Sequence, residues 1–128
     1  MADTEKITLN MSVVDLGKID LLVDQGFYAS RSDLIRTAIR EKLLAYDDQV
    51  REVVTRSSYG MGVMGFNRSD LEKWREQGVQ KEINVVGLLV IAKDVTPELA
   101  VQTIKSLRVF GSLRASEAVK RALGDRIL

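Results

Sequence analysis

The sequence predicts an α+β protein in two parts, and three observations carry that prediction. The stretch EKITLNM alternates with a period of two and is followed at once by two capped helical stripes, so residues 1–46 read as one strand and two helices. Beyond a polar join at residues 47–57, an apolar pair followed by glycine recurs at Val63-Met64-Gly65, Val85-Val86-Gly87 and Val109-Phe110-Gly111. Each recurrence precedes a helix-start signal, so residues 58–128 read as a small module of about three strand–helix units. A chain of 128 residues with 45% hydrophobic and 29% charged side chains has room for two such small domains.

Composition excludes more than it proposes. With no Cys there are no disulfides, thiolate nucleophiles or zinc–thiolate sites, and with no His the commonest general base and metal ligand are gone. No catalytic residue, metal ligand or cofactor is expected, and no paired carboxylate motif points to an enzyme. The longest apolar run, Val85–Ala92, is a strand length, far short of a membrane span. The N-terminus lacks the basic and apolar regions of a secretory signal, so a cytoplasmic protein without a membrane partner is expected. A net charge of +1 announces no general affinity for nucleic acid; any such function must rest on local placement of charge.

The first helix opens at Ser12, with Asp15 at the capping-box spacing, and presents Val13, Leu16, Ile19 and Val23 as one stripe. Gly26 stops it as a left-handed C′ residue. Ser30 with Asp33 opens the second helix, whose apolar face is Leu34, Ile35, Ala38, Ile39 and Leu43, ending near Tyr46. Residues 47–57 either extend that helix or act as a linker. YGMGVMGF, residues 59–66, lacks the pattern of a phosphate loop or dinucleotide fingerprint and reads as a glycine-containing strand or join. INVVGLLVIA reads as a strand buried on both faces. Three further helices are expected to start at Ser69-Asp70, at Thr96-Pro97-Glu98 and at Ser116-Glu117. Asp94 and Glu98 read as electrostatics at the second of these starts.

The first strand has no neighbour with which to form a ladder, and a lone strand cannot hold itself together. Two copies pairing these strands antiparallel would solve the problem. Ile7, Leu9 and Met11, with Ile35 and Ile39 from the second helix, would then form the core of a homodimer. Lys6, Thr8 and Asn10 would be shown twice on its outer face. These residues, from ITLNMSVVDLGKIDLLVDQGF through YASRSDLIRTAI, resemble the ribbon-helix-helix DNA-binding proteins over about the first third of the chain. The resemblance implies an intertwined β-α-α dimer whose two-stranded ribbon enters the major groove of double-stranded DNA. By position it makes Lys6, Thr8 and Asn10 the base-reading residues, a chemistry that suits Lys, Thr and Asn. It also implies a phosphate contact at the start of the second helix, from Ser30, Arg31 and Ser32, with Arg36 one turn on.

For residues 58–128 the resemblance gives less. Nickel-responsive members of similar length need His and Cys ligands, which are missing here. A preformed core is expected, and self-association through the open ends of the strand–helix stack is favoured over a partner or a small-molecule ligand, whose identity is unknown. Three uses fit: a sequence-specific transcriptional regulator acting as a repressor; a plasmid or chromosome partition factor; and an antitoxin-like or scaffolding dimer for which DNA is secondary.

Overall fold

The computed structural model describes residues 4–128. The chain forms two compact units: Lys6–Val53, and a second that joins Val54–Leu128 to Glu5 from the other end of the sequence.

In the first unit α1 (Val13–Asp24) and α2 (Arg31–Ala45) begin at the expected caps. The Ser12 hydroxyl accepts from the Asp15 N–H at 3.4 Å, and the Ser30 hydroxyl from the Asp33 N–H at 3.1 Å. The Asp33 carboxylate reaches past the cap to the Ala29 N–H, 3.0 Å away. At the end of α1, Gly26 takes φ +83°, and the Phe27 and Gly26 N–H groups bond to Leu22 and Val23 carbonyls, a Schellman motif. Tyr46 ends α2, and a separate helix α3 (Asp47–Arg56) follows and runs through the unit boundary. The join at 47–57 is thus a helix of its own, stopped by Ser58 at φ +55°.

The expected strand over residues 5–11 is not formed within the chain: residues 4–12 carry no ladder and no helix. The physical reason is the one its isolation implies, since a strand needs a second strand to bond to. Its apolar residues are left in water. Ile7 is 78% and Leu9 62% exposed, Ile39 on α2 is 46% exposed, and Met11 and Ile35 are half-buried. Among the described residues of this unit, only Ile19 is buried.

The second unit is a parallel sheet in the order β1 (Gly60–Phe66), β2 (Lys81–Ile91), β3 (Ile104–Arg114), with α4 (Arg68–Glu76), α5 (Pro97–Thr103) and α6 (Glu117–Leu123) following each strand in turn. These are the three strand–helix units the glycine recurrence suggests. Leu71 of α4, Leu99 and Ala100 of α5, and Val119 and Leu123 of α6 pack with Val85, Leu89 and Leu107 of the sheet into one core. Thr96 caps α5 with Pro97 in its first turn, and Ser116 caps α6, as the sequence predicts. The start of α4 differs. Asn67 is its cap, in a full capping box with Asp70, so Ser69 lies inside the helix. Asp94 also serves that helix, accepting from the Arg68 N–H at 3.1 Å, instead of the start of α5.

The glycine row differs as well. Register aligns Gly62, Gly87 and Gly111 across the sheet, while Gly65 pairs with Val90. These three share a positive φ, +113°, +134° and +124°. A Cβ on Gly87 would run into the Gly62 carbonyl, and one on Gly111 into the Gly87 carbonyl. A shared backbone kink, propagated strand to strand, sets the row. β2 is as buried as its sequence predicts, with Leu88 6% exposed, Leu89 fully buried and Val86 and Val90 half-buried; the exposed apolar side chains lie on the flanking strands. Met61 and Val63 on β1 and Phe110 on β3 are more than half exposed.

Candidate nucleic-acid interface

Lys6, Thr8 and Asn10 lie on the extended segment before α1, and all three are exposed. They have no hydrogen-bond or ion-pair partner among the described residues. Their alternation with Ile7, Leu9 and Met11 is that of a strand, with polar and apolar groups on opposite sides once the backbone is pleated.

The start of α2 is the second cluster. The caps described above place Ser30, Arg31 and Ser32 around the first backbone N–H groups of a helix of 15 residues. Part of the donor capacity is used internally, because the Ser30 hydroxyl and Asp33 carboxylate both serve the cap. Arg31 is engaged too. Its Nε bonds to Asp20 Oδ1 at 2.7 Å and its Nη2 to Asp20 Oδ2 at 2.8 Å, a two-point contact between α2 and α1. The hydrogen bond from Arg31 holds the Asp20 carboxyl below its ordinary value. Both side chains are about half exposed, so water screens the pair and the guanidinium stays within reach of another oxyanion. Arg36 is exposed one turn further along α2.

Each site residue expected from sequence therefore sits at the surface of the first unit, in two clusters: the extended segment and the α2 start. Sequence reasoning missed Asp20, which holds the Arg31 guanidinium from eleven residues away, a separation with no local pattern to betray it. It also missed Glu5, whose carboxylate is held by the second unit. Ser112 Oγ donates to Glu5 Oε1 at 2.7 Å, and Arg114 Nη2 lies 3.7 Å from the same oxygen.

Among the described residues no helix is long and apolar enough to cross a membrane. No group of three or more Asp or Glu side chains stands ready to hold a metal ion there.

No curated protein and no solved structure matches the chain. A family model does: that of the Ribbon-Helix-Helix transcriptional regulator family, over residues 2–120. The match extends through the parallel sheet to α6, well beyond the first third of the sequence to which the resemblance is confined. The strand–helix module is part of what the family model describes, and the chain belongs to the Ribbon-Helix-Helix transcriptional regulator family.

Proposed function

We propose that the protein is a sequence-specific DNA-binding transcriptional repressor that acts as a homodimer, with a two-stranded ribbon in the major groove. One observation carries the reading. The first unit holds an extended segment without a ladder and leaves Ile7, Leu9 and Ile39 in water, which is half of a structure that a second copy completes. Full burial of each such side chain contributes about 1.5–3 kcal/mol, and a two-fold dimer counts each twice. Antiparallel pairing places Lys6, Thr8 and Asn10 on the outer face, where Lys donates to guanine, Asn bonds bidentately to adenine and Thr serves either. The free N–H groups of α2, with Ser30, Ser32, Arg31 and Arg36, contact the phosphates and set register. Arg31 does so by exchanging Asp20 for a phosphate.

In this reading the protein works by binding, without catalysis. The packed core of the second unit favours a regulator over an antitoxin-like segment that folds around its partner. The exposed apolar side chains of the flanking strands, Met61, Val63 and Phe110, support a role for residues 58–128 in assembling dimers further.

Leu9→Glu tests this reading, since it places a charge in the ribbon's inner face. The variant is expected to sediment as a monomer and to lose DNA binding while the second unit keeps its thermal transition. A variant that remains dimeric, or that binds DNA as a monomer, contradicts the proposal.

A further inference from the structure

The carboxyl ends of β2 and β3 open into a cleft of about 660 Å³, at the end of a parallel sheet where small ligands generally bind. Its walls are apolar, with Val90, Leu113 and Ala115 among them, and three cations stand at it: Lys93, Arg114 and Lys120. No acidic residue lines it among those described. The acids nearby come from outside the cleft and meet its cations only at long range. Glu117 lies 3.9 Å from Lys120 and is largely exposed, and Glu5 lies 3.7 Å from Arg114.

Glu5 is the informative one. It belongs to this unit although it lies 107 residues from Ser112, and a single oxygen receives both the Ser112 hydroxyl and the Arg114 guanidinium. The chain thus presents its own carboxylate to a cation that also lines an apolar cleft. Hydrocarbon walls with cations beside them match an amphipathic anion; a carboxylate is the anion Arg114 already accepts.

We propose that this cleft binds a small carboxylate with an apolar tail, the tail against Val90, Leu113 and Ala115. The ligand's carboxylate takes the place of Glu5 on Arg114, with Lys93 and Lys120 adding attraction. Glu5 is an internal competitor, so the ligand's apparent affinity falls by the fraction of time that Glu5 holds the site. Glu5 is joined directly to Lys6, so its release alters the chain at the start of the proposed ribbon. Binding in the cleft is independent of the DNA reading, and calorimetry without DNA tests it alone.

The experiment titrates the full chain with octanoate, and with 1-octanol as the uncharged counterpart. Octanoate is expected to bind wild type and to bind Glu5→Gln at least about fivefold more tightly, as removal of a competitor requires. Lys93→Gln combined with Lys120→Gln is expected to weaken binding about tenfold, and 1-octanol to bind far more weakly than octanoate. Ser112→Ala, which removes the other holder of Glu5, tightens octanoate binding in the same direction and decides the matter if Glu5→Gln does not fold. Equal affinity of octanoate for wild type and for the folded Glu5 or Ser112 variant overturns the proposal. So does binding of 1-octanol as tight as that of octanoate, or no binding of octanoate to any of these proteins.

Discussion

At Gly87 the backbone is held at φ +134° with the Gly62 carbonyl where a side chain would begin. Neither condition tolerates a Cβ, and the obstacle is backbone in the middle of a sheet, which cannot swing aside. Gly62 shares the conformation, with open space where its Cβ would be. Gly87→Ala is therefore expected to cost more than Gly62→Ala, which carries only the backbone strain of about 1–3 kcal/mol. Chemical denaturation of the two variants checks the order; equal losses would place the whole effect in the backbone conformation. Asp20 gives a pH prediction. Its folded pKa is depressed by Arg31, so the stabilisation is present above the unfolded value, about 3.9, and is lost as pH falls through the folded value. The melting-temperature advantage of wild type over Asp20→Asn is expected to shrink from about pH 6 to about pH 3. An advantage independent of pH would remove the ion pair as its source. The pair is solvent-exposed, and the effect is small.

Elements with local signals were legible in the sequence, and those set by pairing were not. Ser12, Ser30, Thr96 and Ser116 all cap the helices they were expected to cap, because a cap bonds within three residues of itself. Gly26 stops α1 for an equally local reason. At α4 two cap-forming residues lie two positions apart, and the Asn67–Asp70 box wins over Ser69 because it satisfies both ends of the turn. Asn67→Ala should accordingly lower stability by about 1 kcal/mol and Ser69→Ala by less than about 0.5 kcal/mol; thermal melts compare them, and the reverse order would restore Ser69 as the cap. The glycine recurrence announced three strand–helix units but misaligned the first by three residues. Register between strands depends on partners far along the chain. The same distance hid the contact of Arg31 with Asp20 and of Glu5 with Ser112 and Arg114. The α2 start was expected as a phosphate contact from the family resemblance, and nothing in the sequence signalled that one of its cations is held by α1.

For the molecule as a whole, two surfaces call for partners. The first unit leaves the apolar side of an unpaired strand in water, and the second leaves one face of a parallel sheet partly bare. In the proposed function a two-fold ribbon would cover the former and turn Lys6, Thr8 and Asn10 outward as a repeated set. With one cation in each set, the proposed dimer would read bases by hydrogen-bond pattern more than by charge, and assembly of neighbouring dimers would add affinity by avidity. The proposed phosphate contact separates from base reading by its behaviour: Arg31→Ala should weaken all duplexes alike and lower the salt slope by about 1. The most direct test of the ribbon as reader is selection from random duplex DNA by wild type and by the Lys6→Ala, Thr8→Ala, Asn10→Ala triple variant. Wild type should enrich a common two-fold sequence, and the triple variant should stay dimeric and enrich none. A triple variant that selects the same sequence as wild type would contradict the account.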